Sequence, residues 1–138
     1  MAQSTSQTGG PHRQLLTATN LAVSVAASGT TTLLEVPVAG LHTLGVQVDL
    51  TVQALDAFAI QAKFNVNGGW VTLYNATGDF TTPAGLLIGA SGDLTALAAA
   101  ATGWFVLDVR GLYAVKVTAS AEVAGAATAD VYAGGTGQ

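Results

Sequence analysis

Apolar and polar residues alternate with a period of two along most of the chain, a pattern typical of β-strands that bury one face. The clearest examples are residues 44–54, in which Leu44, Val46 and Val48 alternate with more polar positions, and residues 58–66. An amphipathic helix would instead place apolar residues three and four positions apart, and neither run does so. The same alternation predicts further strands at residues 21–27, 30–38, 70–74, 104–109, 112–121 and 126–133.

Turn-forming residues divide these strands and predict how they connect. Asn67-Gly68 lies between two alternating runs and favours a two-residue hairpin of type I′, whose central residues both need positive φ. Pro37 places its strand at a sheet edge or end, because proline cannot donate a ladder hydrogen bond. Residues 55–57 are predicted to turn the chain between the two clearest strands.

The segment between the two halves of the strand pattern is interrupted by glycine, aspartate and proline. Residues 75–94 predict a long loop that holds one short strand at residues 86–88. The alanine-rich residues 94–101 predict a helical turn, because alanine favours the helix.

The number and length of these segments predict an all-β fold. Eight or nine short strands separated by turns are typical of a two-sheet antiparallel β-sandwich, either of jelly-roll or of immunoglobulin-like type. A chain of 138 residues fits one domain. We divide it into a polar N-terminal arm at residues 1–14, flexible or anchored on a partner, a single sandwich domain at residues 15–133 and a glycine-rich tail at residues 134–138.

The composition changes this picture by removing charge from the surface. Hydrophobic residues make up 50% of the chain and charged residues only 9%, against about 25% charged residues in typical soluble domains. A surface poor in charge is covered by another subunit at low desolvation cost, and interface cores show the same depletion. We therefore expect a domain that packs against neighbours in an assembly.

Charge and hydropathy also exclude several classes of partner. The net charge is −4, and the four basic residues are scattered, so we expect no nucleic-acid binding. No stretch reaches the roughly 18 apolar residues of a membrane-spanning helix. The first residues have neither a basic start nor an apolar centre, so we expect no signal peptide and synthesis in the cytosol. The absence of cysteine fits a reducing compartment.

Residues able to perform catalysis or bind metal are present but do not form a recognisable motif. His12 and His42 are far apart in the sequence, and most of the eight acidic residues fall in predicted turns or on the polar faces of strands. The Gly78-Asp79 and Gly92-Asp93 pairs lack the dense acidic spacing of a calcium loop. Neither a nucleophile elbow nor a phosphate-binding loop occurs. We expect no enzyme activity, no cofactor and no metal site.

Two interpretations of the aromatic residues remain. Large aromatic side chains on strands usually fill the core, and this places Phe58, Phe64, Trp70 and Trp104 inside the sandwich. The alternative is an exposed platform on which sugars stack. That platform would draw on the tryptophans and tyrosines Trp70, Tyr74, Trp104, Tyr113 and Tyr132.

The last third of the chain carries a resemblance to a known group of proteins. Gly103-Trp104 opens one strand, Gly111-Leu112-Tyr113 leads into a Val-x-Val-x-Ala strand, and Gly125 turns the chain into a final strand. This order resembles the closing strands of small β-sandwich structural proteins of tailed bacteriophages. The resemblance covers residues 103–134, and the cysteine-free composition rich in alanine, glycine and threonine is similar to that of virion proteins.

The resemblance implies a virion role, and a capsid decoration or cement protein is the form that we expect. Such a protein binds the shell in many copies, gains strength by multivalency and is made in the bacterial host cytoplasm. The implied partners are the major capsid protein or other virion proteins, with further copies of the chain on the particle. Candidate contacts are Pro11, His12, Arg13, Gln14, Leu15, Leu16, Thr81, Thr82 and Pro83.

Other functions remain open at this point. A tail, neck or fibre component would share these features. A carbohydrate-binding module for host recognition would differ by placing two or more aromatic side chains along an exposed groove.

Overall fold

The computed structural model describes residues 3–10, 13–27, 29–50, 55–76, 87–90, 102–121 and 127–137. Within these ranges the chain forms ten β-strands and no helix. The strands are β1 (Ser4–Gly10), β2 (Arg13–Val25), β3 (Thr31–Pro37), β4 (Thr43–Leu50), β5 (Leu55–Lys63), β6 (Val71–Ala76), β7 (Leu87–Ala90), β8 (Thr102–Asp108), β9 (Ala114–Ala121) and β10 (Ala127–Gly137).

The strands form two antiparallel sheets, which confirms the predicted all-β sandwich. Sheet A has the order β1-β2-β10-β4-β8-β7, and sheet B has the order β3-β9-β5-β6. The chain is arranged as a long hairpin folded over itself, since β2 pairs with β10, β3 with β9, β4 with β8 and β5 with β6. This nested pairing is the jelly-roll topology, so the tertiary structure decides between the two predicted types.

The polar N-terminal segment takes part in sheet A. The strand β1, which has no apolar residue, pairs in register with β2 from Ser4↔Thr19 to Gly10↔Arg13. Backbone hydrogen bonds hold it, so the hydrophobic pattern gave no sign of it. The Gln3 side-chain amide also donates to the Glu35 carbonyl and accepts from the Glu35 N–H at 2.9 Å. This contact occupies backbone groups of the edge strand β3.

The glycine-rich C-terminal segment is also part of sheet A. The last residues of β10, from Gly134 to Gly137, pair with β2, and those as far as Thr136 also pair with β4, although their composition predicts a tail at residues 134–138. Gly135 faces inward, and a Cβ atom there would lie 2.8 Å from Leu41 Cδ1. The absence of a side chain at this position therefore makes room for the Leu41 side chain and for the Thr43 carbonyl oxygen, which would lie 3.1 Å from that Cβ atom.

The core lies between the sheets and follows the predicted alternation. Inward-facing residues of β4 such as Leu44, Val46 and Val48 are at most 2% exposed. Phe58 of sheet B meets Phe105 of sheet A edge to face, with ring centroids 5.3 Å apart and an interplanar angle of 72°. This arrangement is the one that aromatic quadrupoles favour, and it couples the two sheets.

Two β-bulges are stabilised by polar side chains. Between Asn20 and Val23 the strand β2 has two residues opposite Asp130 of β10. Ala22 takes a φ of 55° there and donates its N–H to Asp130 Oδ1 at 2.8 Å. Asn20 Nδ2 donates to the carbonyl of Leu33, at 2.8 Å, where the register of β3 also shifts. Asn20 thus joins sheet A to the irregular point of sheet B.

The chain crosses between the sheets through a pair of Val-x-Gly-Leu turns. Residues 38–41 connect β3 to β4, and residues 109–112 connect β8 to β9. In each turn the leucine N–H donates to the valine carbonyl, at 2.9 Å and 3.1 Å. The glycines Gly40 and Gly111 have φ of 84° and 86°, the value at the third position of a type II turn.

The two crossing turns are also joined to one another. The N–H of Val38 donates to the carbonyl of Tyr113, and the N–H of Val109 donates to the carbonyl of His42. In each case the acceptor follows the leucine of the other turn. The two turns are therefore joined by one backbone hydrogen bond in each direction.

The predicted hairpin between β5 and β6 exists, but its turn is longer than predicted. The strand β5 ends at Lys63 and β6 begins at Val71. Asn65 organises the turn, since its carbonyl accepts from Gly68 N–H at 3.1 Å and its Oδ1 accepts from Asn67 N–H at 2.8 Å. Neither Asn67 nor Gly68 has a positive φ, so the type I′ prediction is wrong. The turn is instead organised by hydrogen bonds to the side chain and the carbonyl oxygen of Asn65.

The other connections are only partly described. The edge position of Pro37 agrees with the structure, since β3 ends at this residue and lies at the edge of sheet B. Residues 55–57, predicted to turn, belong to β5. Around the predicted short strand at residues 86–88, the structure has β7 at Leu87–Ala90. The predicted helical turn at residues 94–101 lies outside the described residues.

Candidate surface site

Of the four aromatic residues predicted to lie in the core, the structure buries Phe58, which is 1% exposed. The prediction is wrong for Trp104 and Phe64, which are 44% and 57% exposed. In β8 the inward positions are those of Phe105 and Leu107, so Trp104 points outward with Asp108. Trp104 and Asp108 are four positions apart on β8 and therefore share one face of the strand. The acidic residue at position 108 was the sequence signal that Trp104 faces solvent. Phe64 lies beyond the end of β5, where alternation no longer applies.

Trp70 is half-buried, but it lies outside the core. It comes just before β6, and two lysine ammonium groups lie over its ring. Lys116 Nζ is 4.6 Å and Lys63 Nζ is 5.3 Å from the ring centroid. Cations at these distances are attracted to the aromatic face. Two of the four basic residues are thus used to cover Trp70.

Trp104 and Tyr132 lie on the outer face of sheet A, on opposite sides of Gln47. The register pairs Gln47 with both, through β8 on one side and β10 on the other. The next row of the same face contains Gly134, Gly45 and Val106. Together these residues line an open depression of about 330 Å³. We refer to it as the aromatic depression.

Two facing glycines form the floor of the aromatic depression. Gly45 and Gly134 are directly paired across β4 and β10, and neither has a positive φ. A Cβ atom on Gly134 would meet nothing within 4 Å, and one on Gly45 would make only ordinary contacts, at 3.7 Å and beyond. Neither the backbone conformation nor packing against the described residues therefore requires glycine at these two positions.

Polar groups surround the aromatic depression along neighbouring rows. Gln47 Nε2 donates to Asp49 Oδ1 at 3.1 Å. On the other side, the hydroxyl groups of Thr43 and Thr136 are 3.1 Å apart. These groups are oriented by their mutual hydrogen bonds, so the rim offers both donors and acceptors in fixed places.

An ion pair closes one end of this rim. Asp108 accepts from Arg110 Nε at 2.9 Å and from Arg110 Nη2 at 2.6 Å, in a bidentate arrangement. The side-chain and backbone hydrogen bonds from Arg110 lower the pKa of Asp108 from 3.8 to about 2. The same contact raises the pKa of Arg110 above its usual value. The charge of Arg110 is therefore satisfied within the chain.

A second exposed apolar surface lies at the end of the β5–β6 hairpin. Phe64, Val66 and Val71 are 57%, 61% and 48% exposed. Tyr113, 38% exposed, lies beside them because its N–H donates to the Lys63 carbonyl at 2.8 Å. We refer to these four side chains as the hairpin-tip cluster. Sequence alternation placed Phe64 and Val66 in a strand and so missed it.

Most of the predicted partner contacts lie outside the described residues. This applies to Pro11, His12, Thr81, Thr82 and Pro83, and to the side chains of Arg13 and Gln14, whose backbones open β2. Leu15 is half-buried. Leu16 is 1% exposed and belongs to the core, because it lies on the inward face of β2. Its assignment as a partner contact is therefore wrong.

The described residues contain no group of three or more histidine, cysteine, aspartate or glutamate side chains arranged to hold a metal ion. His42 is exposed at the crossing into β4. Within the same described ranges, the structure has no helix that is long and apolar enough to span a membrane.

The fold places the chain in the class of jelly-roll β-sandwiches. No protein-family model and no curated protein sequence matches it. Among solved structures, it is similar to the SPBc2 prophage-derived protein YomS, with 14% identity over 99% of this chain and 96% of that one and a TM-score of 0.51. The K1 cleaved adhesin domain of Lys-gingipain from Porphyromonas gingivalis W83 matches with 11% identity, 97% and 88% coverage and a TM-score of 0.35.

Proposed function

We propose that this chain is a non-enzymatic structural protein of a tailed bacteriophage virion, and specifically a capsid decoration protein that reinforces the shell in many copies. The observation that carries the proposal is the likeness in fold, over 99% of the chain, to a prophage-derived protein. Jelly-roll sandwiches occur in virion proteins and in lectins, so the surface must argue for the particular role.

The surface supports assembly because it is poor in charge and exposes a group of apolar side chains. Only 9% of all residues are charged, and two of the basic ones cover Trp70. The hairpin-tip cluster leaves four large apolar side chains open to solvent. Clustered exposure of this kind marks contact surfaces in soluble domains. We assign the hairpin-tip cluster as one contact with the shell.

The N-terminal residues supply a second proposed contact. The strand β1 (Ser4–Gly10) lies at the edge of sheet A opposite β7. An edge strand such as β1 offers backbone donors and acceptors to a neighbouring protein. Many weak contacts of this type, repeated over a lattice, give strong retention by multivalency.

Co-sedimentation with capsid shells tests the proposal. Shells assembled from the major capsid protein of the same genome, before and after expansion, would be mixed with the purified protein and pelleted. We expect saturable binding at many copies per shell. Removal of residues 1–10 takes away β1 and leaves β2 intact, whereas Phe64→Ser with Val66→Ser changes only the hairpin tip. The variant that loses binding identifies the anchor, and Gly69→Ala serves as a control in the same turn.

Absence of binding to either shell would overturn the decoration role. Co-purification of the protein with isolated tails in that case would support the tail, neck or fibre alternative. Folding of each variant must be verified by circular dichroism, so that loss of binding reports on contact and not on stability.

A further inference from the structure

We infer that the aromatic depression is a binding site for an uncharged saccharide, held between Trp104 and Tyr132 over a floor made of Gly45 and Gly134. The pair of glycines is the first feature that points to a ligand. Glycine inside a strand weakens it and marks a place where a ligand or another backbone approaches closely. Among the described residues, no atom lies within 4 Å of a Cβ position at Gly134. We assign the close approach to a molecule outside the chain.

The neighbouring glycine, Gly135, faces inward and shows a different reason for lacking a side chain. At Gly135 a Cβ atom would lie 2.8 Å from Leu41 Cδ1 and 3.1 Å from the Thr43 carbonyl. Packing within the chain therefore explains Gly135. The same explanation fails for Gly45 and Gly134, which face outward side by side.

The walls of the depression indicate the chemistry of the ligand. Trp104 and Tyr132 stand two strands apart, with 44% and 38% of their surfaces exposed. The face of an aromatic ring carries partial negative charge, which attracts the C–H groups of a pyranose ring. The volume of about 330 Å³ lies within the range of small-ligand sites, about 300–1,000 Å³.

The rim indicates that the ligand carries hydroxyl groups and no negative charge. Gln47 with Asp49, and Thr43 with Thr136, provide paired donors and acceptors on either side. Carboxylates nearby repel an anion, and Arg110 is held by Asp108. Among the side chains that the structure describes on this face, no other cation is present to bind an acidic sugar. The rim thus favours a neutral saccharide over a uronic or sialic acid.

The inference does not depend on the decoration role, since the hairpin-tip cluster lies on other strands and β1 is separated from Tyr132 by the strand β2. Shell binding and saccharide binding have separate readouts, so either can fail without the other.

The test is a glycan array followed by isothermal titration calorimetry with the full chain. The array would carry neutral oligosaccharides of glucose, mannose, galactose and N-acetylglucosamine, with oligogalacturonate and sialylated glycans as acidic probes. We expect binding to at least one neutral class and none to the acidic probes. Trp104→Ala should weaken this binding at least about tenfold. Tyr113→Ala removes an exposed aromatic ring of the hairpin-tip cluster and should leave it unchanged.

Gly134→Thr is the sharper variant because it fills the depression without removing an aromatic ring. We expect it to abolish saccharide binding while the thermal midpoint stays equal to or above that of the unsubstituted chain. Binding that survives in a folded Gly134→Thr variant would overturn the assignment of the site. So would binding of acidic glycans alone, or silence across the whole array.

A second copy of the chain is the competing occupant of this face. Analytical ultracentrifugation of the unsubstituted chain and of Gly134→Thr distinguishes the two. A self-association that Gly134→Thr abolishes would show that the face is an interface between copies and would overturn the saccharide site. An oligomeric state that is the same in both proteins supports it.

Discussion

At positions 104 and 105 the parity of one strand decides which of two neighbouring aromatic residues is core and which is surface. Phe105 is fully buried and packs on Phe58, whereas Trp104 is 44% exposed. The same parity separates Gly134, which faces solvent, from Gly135, which faces Leu41. Residue type alone does not make these distinctions, since both members of each pair are alike in kind.

The two adjacent glycines of β10 should respond oppositely to alanine. Gly134→Ala should stabilise the domain by about 0.5–1 kcal/mol, because glycine in a strand interior loses more entropy on folding than alanine. Gly135→Ala should destabilise it by about 1–3 kcal/mol, the usual cost of overpacking, since the new Cβ lies 3.1 Å from the Thr43 carbonyl oxygen and 2.8 Å from Cδ1 of the buried Leu41. Urea denaturation of both variants measures the free energies of unfolding. Equal effects of the same sign would contradict this account.

The ion pair between Asp108 and Arg110 predicts a contribution to stability that depends on pH. The folded-state pKa of Asp108 is about 2, below its ordinary value of 3.8, so the unfolded chain takes up the proton more readily. The contribution is complete above about pH 4 and is lost as the pH falls through about 2. The difference in unfolding free energy between the unsubstituted chain and Asp108→Asn should therefore shrink over this range.

Arg110→Gln serves as the control for this pH dependence, because it removes the cause of the pKa shift and leaves the carboxyl group in place. If the unfolding free energies of the unsubstituted chain and of Asp108→Asn differed by a constant amount from about pH 5 to about pH 2, Asp108 would not titrate as described.

At the scale of elements, the turns between strands distinguish this fold more than the strands themselves do. The Val-x-Gly-Leu turns at residues 38–41 and 109–112 both cross between the sheets, and each donates a backbone hydrogen bond to the other. The β5–β6 turn, by contrast, is built on Asn65 and contains no positive φ. The polar strand β1 shows that pairing alone is enough to order a segment that has nothing to bury.

Alanine at either crossing glycine should destabilise the domain by about 1–2 kcal/mol, the cost of a left-handed conformation for a residue with a Cβ. Gly40 and Gly111 have φ of 84° and 86°. Gly69 has no positive φ, and a Cβ there meets nothing within 4 Å, so Gly69→Ala is the matched control and should be close to neutral. Thermal or urea unfolding measures all three, and a destabilised Gly69→Ala would refute the conformational explanation.

At the scale of the whole molecule, contacts between sheets A and B hold the domain together. The core cluster draws its residues from both sheets, and the pair Phe58–Phe105 spans the space between them. Asn20 and Gln3 add polar bridges from sheet A, or the segment before it, to β3. These contacts join residues that are distant in sequence, which is the condition for slow and cooperative folding.

Substitution of neighbouring aromatic residues in β8 tests how much the inter-sheet contact contributes. Phe105→Ala should cost about 3–5 kcal/mol, the usual loss for a buried phenylalanine. Trp104→Ala, one position away and on the outer face, should cost about 1 kcal/mol or less. Denaturant unfolding at constant pH measures both. A larger loss for Trp104→Ala would place its ring in the core after all.

Local patterns in the sequence are enough to predict the fold class and most of the core. Alternation with a period of two is a local property, and it correctly placed Leu44, Val46, Val48 and Phe58 on inward faces. The composition of the sequence also shows that charged residues are few. Where alternation stopped, at Phe64 and Trp70, or where its phase was ambiguous, at Trp104, the prediction of a buried aromatic was wrong.

The jelly-roll topology and the composition of the aromatic depression follow from long-range strand pairing, which local patterns do not predict. Gly45, Gly134, Trp104 and Tyr132 come from three strands that are far apart in the chain and meet through the register of β4 with β8 and β10. Strand pairing is set by the packing of both sheets around a shared core, and no local pattern encodes which strands become neighbours. The candidate site depends on that non-local register, whereas the fold class depends on local periodicity.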